Sequence, residues 1–191
     1  MVVFANYEAS FELLTKDLEE ILEFVEPVDA NAATFSHRIY GVLLRVCTEF
    51  ESLAKDLLKD SGHPKPPNKM TVLDYRTLED RFHLDVVDAD FLLWRPQPRR
   101  VSPFRSWSTV QPPLSWYRDY NKVKHNREAE FPRANLGVLV EAMAGQFALT
   151  AKASEFNWGD CGWSNDKGKF SFWRWPFCMY WTEQGQPAAG V

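Results

Sequence analysis

Between Phe35 and Leu57 the apolar residues fall on one helical stripe: Phe35, Ile39, Val42, Leu43, Val46, Phe50, Leu53 and Leu57. Their spacings of mostly three and four residues match a helix that repeats every 3.6 residues. The stripe commits the chain to a long helix over residues 32–59, which other elements must cover. Asp29 or Asn31 is the expected cap, and Gly62 with Pro64 the expected stop. The cover is legible too. Phe11, Leu14, Leu18, Ile21, Leu22 and Val25 predict a first helix over residues 7–24, ended by Pro27. After the linker SGHPKPPNKM, Thr71 and Asp74 have capping-box-like spacing and open a shorter helix over 71–82. Further helices are expected over 115–128 and 132–154, the latter with Pro132 in its first turn and Leu136, Val140, Met143 and Phe147 as its stripe.

Two stretches break the pattern. In residues 84–113 prolines interrupt short apolar runs, which predicts an irregular insert with room for a short hairpin. Residues 157–182 hold five of the eight tryptophans, with Phe170, Phe172, Phe177 and Tyr180. There KFSFWRW alternates, and Asn165 to Gly168 is turn-like, so a β-hairpin is expected. Its rings are expected to form a small aromatic core; stacking on bases is the other use for them. The expected fold is mainly α: a helical bundle over residues 1–155 with an irregular insert at 84–113, then an aromatic-rich β-hairpin appendage and tail over 156–191.

Composition narrows the class. The 191 residues are 45% hydrophobic and 25% charged, enough for a real core. The three cysteines contain no C-x-x-C pair, so neither a disulfide framework nor a structural zinc site is expected. Cys161 and Cys178 could pair across a hairpin; free thiols in a reducing cytosol are the simpler reading. The first residues, MVVFANYEAS, lack a basic start and a sustained apolar core, so no signal peptide is expected. Residues 134–151 come nearest to a membrane span, but Glu141 interrupts them and Gly137, Gly145 and Gln146 dilute them. A buried core helix is expected there, and a cytoplasmic protein without membrane partners overall.

The formal charge of −4 hides an asymmetry. Residues 1–60 carry 12 acidic and 5 basic side chains. Residues 95–127 carry Arg95, Arg99, Arg100, Arg105, Arg118, Lys122, Lys124 and Arg127 against Asp119 alone. Such an island suits an anion, a phosphate backbone included. It would equally suit packing against the acidic first helices.

The segment SWYRDYNKVKHNRE, residues 115–128, carries the chemistry. Arg118 and His125 are seven apart and so share a face, with Asn121 and Lys122 between them. Trp116, Tyr120 and Val123 lie opposite and would seat the helix. Histidine titrates near neutral pH and can act as general acid or base. Arginine and lysine can hold a phosphate and offset charge that builds on it. These groups together could cleave RNA without a metal: the 2′-hydroxyl attacks the adjacent phosphorus and leaves a 2′,3′-cyclic phosphate. The same row would also serve as an ordinary solvated face. On the preceding helix, Arg45 and Glu49 are spaced to pair, as are Glu51 and Lys55; the first pair could orient His125 or be a plain surface pair.

The helical pattern followed by Arg-x6-His resembles HEPN domains, small helical bundles of which many are metal-independent ribonucleases. The stretch WYRDYNKVKHNREAEFPRANL is similar to a bacterial HEPN-like group with a W-x-x-x-Y-N-x-x-K-H-x-R pattern. The matching positions are Trp116, Tyr120, Asn121, Lys124, His125, Arg127, Phe131, Ala134, Asn135 and Leu136. The stretch LLRVCTEFESLAKDLL, residues 43–58, is similar to that group's second helix. The resemblance covers residues 5–155. In the shorter Arg-Asn-x3-His form the arginine position holds Tyr120, so Arg118 fits only the longer spacing; Arg127 and Arg45 are the alternatives. The resemblance implies a homodimer whose two motif helices form one cleft, and a toxin–antitoxin or phage-defence setting with an antitoxin or other protein partner. His125 is then the acid/base, Arg118 the phosphate clamp and Asn121 their support. Lys122, Lys124, Arg127 and Tyr120 are the substrate-binding candidates. Neither a metal site nor a cofactor is expected. The runner-up is a non-catalytic module that binds a protein or nucleotide.

Overall fold

The computed structural model describes residues 2, 4–109, 113–153, 169–171 and 176–181. The chain is mainly helical. Its principal helices are α1 (Phe4–Leu22), α2 (His37–Asp60), α5 (Ser115–His125) and α7 (Leu136–Ala153). The short helices α3 (Val72–Tyr75), α4 (Glu79–Phe82) and α6 (Arg127–Glu130) join them. The strands β1 (Val87–Phe91), β2 (Arg99–Val101), β3 (Lys169–Ser171) and β4 (Phe177–Trp181) form one antiparallel sheet in the order β2-β1-β4-β3. Among the described residues no helix is long and apolar enough to cross a membrane.

α7 is the centre. It is buried on nearly every side, because its glycines, alanines and long aliphatics let α1, α2, α5 and the sheet all pack on it. Two of its buried polar residues bond each other: the Thr150 hydroxyl donates to the Gln146 backbone carbonyl at 2.9 Å and accepts from the Gln146 amide at 3.4 Å. Phe11 of α1, Phe147 of α7 and Phe177 of β4 meet at ring separations of 5.8 to 6.4 Å.

Several expectations need correcting. α2 starts at His37 because Ser36, in extended backbone, caps it: its hydroxyl accepts from the Ile39 N–H at 3.1 Å. Asp29 instead accepts from the Trp94 indole N–H at 2.9 Å. Residues 32–33 form a turn, with Thr34 N–H on the Asn31 carbonyl at 2.9 Å, and the segment 32–35 straps the start of α7, with Leu136 N–H on the Thr34 carbonyl at 2.9 Å and Gly137 N–H on that of Ala32 at 2.8 Å. The region 71–82 is two short helices around a tight turn at Arg76–Leu78, and the capping box is present, with Thr71 N–H donating to Asp74 at 2.8 Å. α5 ends at His125, and Pro132 lies in a turn at Phe131–Arg133 before α7, whose Val138 N–H donates to the Asn135 side chain at 3.0 Å.

The described residues of the insert hold regular structure. Its strands β1 and β2 pair, and Phe91, Trp94, Val101, Phe104 and Trp107 are buried in the common core. β4 pairs with β1 over its whole length, and Phe177 and Met179 are buried at 0% and 1% exposure. That strand is therefore an integral layer and not an appendage. The hairpin partner of β3 is the later segment Phe177–Trp181. The turn at 165–168 and the pairing of Cys161 lie outside the described residues, as do the side chains of the tail tryptophans. Cys47 is a buried free thiol.

Candidate functional site

One face of α5 is fastened and the other is open. Trp116, Tyr117, Tyr120 and Val123 are buried. The Trp116 indole N–H donates to the Pro103 carbonyl at 2.9 Å. A Cβ at position 145 would lie 2.9 Å from the Trp116 ring, so only glycine lets α7 and α5 approach this closely. The Tyr117 hydroxyl donates to Glu51 of α2 at 3.0 Å, and Glu51 also faces Lys55 at 3.4 Å and Lys124 at 3.8 Å. Burial first, and the Glu51 charge second, push the Tyr117 and Tyr120 phenols well up, so both stay protonated donors. At the helix start the Ser115 hydroxyl donates to Glu141 at 3.2 Å, a carboxyl whose pKa burial raises.

With those contacts fixed, the open face is determined. Asn121, Lys122 and His125 line a depression of about 340 Å³ together with Asn126 and Glu130. His125 and Lys122 are exposed and Asn121 is half-buried. Arg118 is on the same face but about 10 Å up the axis, at 1.5 Å per residue. Its guanidinium lies 3.8 Å from Asp119, which also takes Arg133 at 3.1 Å. The structure thus groups His125 with Lys122 and Asn121 and leaves Arg118 outside the depression.

The other predicted residues separate from this group. Tyr120 is 1% exposed; its ring belongs to the core and only its hydroxyl takes part, accepting from Lys124 at 2.8 Å. Lys124 is drawn to the Glu51 side. At Asn126 the backbone leaves the helix (φ −143°, ψ 66°), which turns Arg127 toward the start of α2. There it donates to His37 Nδ1 at 3.1 Å and lies 5.4 Å from the ring centres of Tyr40 and Phe131. Asn126, Glu130 and Arg133 were not singled out from the sequence. The Glu130–Arg133 spacing of three was the available signal. Arg133 binds Glu130 and holds its carboxyl below the ordinary value.

Half of the basic island is neutralised locally. Arg100 grips Asp90 with two bonds of 2.8 and 3.0 Å, and Arg105 meets Asp88 at 3.1 Å. Lys124 reaches Glu51 of α2, while Asp17 and Glu20 of α1 bind Arg38 and Arg45 of α2. Arg45 thereby pairs with Asp17 and not with Glu49. Lys122, Arg95, Arg99 and Arg127 carry no ion pair among the described residues. Among those residues no three His, Cys, Asp or Glu side chains gather as metal ligands.

No family profile, no curated protein and no solved structure matches the chain.

Proposed function

We propose that this protein binds single-stranded RNA and cleaves it without a metal, as a HEPN-like homodimer of bacterial toxin or phage-defence type. One observation carries the reading: an exposed imidazole, an ammonium and an amide lie side by side in the depression at the end of α5, the helix that bears the resemblance.

The chemistry follows from those groups. His125 takes the proton of a ribose 2′-hydroxyl, whose oxygen bonds to the adjacent phosphorus. The bond from phosphorus to the 5′-oxygen breaks, and that oxygen gains a proton. One chain supplies one imidazole at this face. A two-fold dimer supplies a second, so that one acts as base and the other as acid. Lys122 sits nearest to offset charge on the phosphate. Arg118, farther along the helix, suits a neighbouring phosphate. Glu130 is restrained by Arg133 from competing with the substrate.

The test is incubation with total RNA in EDTA, with chain ends analysed for 2′,3′-cyclic phosphate. Cleavage that disappears in His125→Ala and falls sharply in Lys122→Ala supports the proposal. Equal cleavage by the His125 variant sinks it. The second reading, a non-catalytic binding module, is favoured by the local neutralisation of Arg118, Arg100 and Arg105. It predicts no cleavage and unchanged partner binding in His125→Ala.

A further inference from the structure

Beside the depression, the break at Asn126 places Arg127 against a cluster of rings from two other parts of the chain. Phe35 and Phe131 meet edge to face, with centres 5.4 Å apart and planes at 81°. The His37 ring lies 4.9 Å from Phe131, and Tyr40 lies 5.9 Å from it. Arg127 spans the Tyr40 and Phe131 rings and donates to His37 Nδ1. Arginine has only donors, so Nδ1 accepts here and the imidazole proton is on Nε2. The cluster is open: Phe35 is 44% exposed, and His37 and Arg127 are exposed.

It is also rigid. Phe35 pairs through its backbone with Asn135, and the neighbouring Thr34 carbonyl holds the start of α7. The rings therefore keep their places without a ligand, which lowers the ordering cost of binding one.

We propose that this cluster is a stacking site for one nucleobase of single-stranded RNA, the base next to the phosphate held at His125. The inference rests on the proposed RNA reading and adds to it the part of the substrate that is recognised. Three observations favour this occupant. Arg127 lies two residues from His125, a separation of at most about 7.6 Å between Cα atoms, so one strand can reach both. Arg127 and Lys122 bring positive charge to the backbone that carries the base. The exposed apolar surface is also small. A stable protein interface buries about 800 Å² per partner, whereas a base needs a single ring face.

The experiment measures binding of a short 2′-O-methyl single strand, which cannot be cleaved, by fluorescence anisotropy. An abasic strand of the same length is the control. Phe35→Ala should weaken binding of the base-bearing strand about tenfold, and Phe35→Trp should retain it. The abasic strand should bind weakly to both wild type and Phe35→Ala, with no difference between them. Equal binding of the base-bearing strand by wild type and Phe35→Ala overturns the proposal. So does a wild type that binds both strands equally. A variant that shifts the monomer–dimer balance in sedimentation, with RNA affinity unchanged, also overturns it and marks the cluster as a self-association surface. Phe35-dependent binding without cleavage would remove the nuclease and keep the stacking site. His125-dependent cleavage with Phe35-independent binding would do the reverse.

Discussion

Glu51→Ala should destabilise the protein by about 2 kcal/mol, since it strips a buried phenol of its charged acceptor. The Tyr117 side chain is 5% exposed and its hydroxyl has the Glu51 carboxylate at 3.0 Å. Stranding such a donor costs about 1–3 kcal/mol. The accompanying loss at Lys124 is small, because that ammonium is 43% exposed and keeps the Tyr120 hydroxyl. Tyr117→Phe alone should cost about 1 kcal/mol, as Glu51 retains Lys55 and Lys124. The double variant removes donor and acceptor together, so it should cost about 1–1.5 kcal/mol less than the sum of the singles. Urea unfolding of the four proteins, compared at constant slope, measures this coupling. The Glu51→Ala loss corresponds to about 4–8 °C in Tm for a chain of this size. If the two single costs add to within about 0.4 kcal/mol, phenol and carboxylate are not energetically linked. The claim that α2 fixes the orientation of α5, and hence of the His125 face, would then fail.

Phe177→Ala should cost about 3–5 kcal/mol by urea unfolding, since it opens a cavity between Phe11, Phe91 and Phe147; a negligible loss would mean that β4 is not part of the core. Ser36→Ala should cost about 1 kcal/mol in the same assay, through loss of the α2 cap, while Ser36→Asp should retain the stability. Burial and the neighbouring Asp85 raise the Glu79 pKa from 4.5 to about 7. The folded state thus holds a proton that the unfolded chain releases at lower pH. The contribution is intact below pH 4.5 and is lost as pH rises through about 7. The urea midpoint should fall across that window in the wild type and fall less in Glu79→Gln; parallel profiles would contradict the assignment.

Local pattern and long-range pairing account for what the sequence did and did not reveal. The long apolar stripe of α2 and the Thr71–Asp74 box depend on spacing within one element, so both were readable from neighbours along the chain. The strand pairs Val87 with Trp181 and Phe91 with Phe177 join residues some ninety positions apart, and no local pattern specifies such a register. The insert and the tail consequently looked separate, although they are one sheet. Ser36 outcompeted Asp29 as the cap because the turn at 32–33 and Phe35 are held against Asn135–Gly137, a tertiary contact.

The site divides in the same way. The sequence by itself placed Arg118, Asn121, Lys122 and His125 on one helical face, because the helical repeat is a local property of the backbone. It also marked Trp116 and Val123 as the seating side. Only the tertiary structure decided which cations stay available there. Glu51 draws Lys124 behind the helix, and the backbone break at Asn126 swings Arg127 onto Tyr40 and Phe131. Charge and hydrogen bonds are satisfied by whichever partner the packing brings within a few ångströms, and that partner comes from elsewhere in the chain.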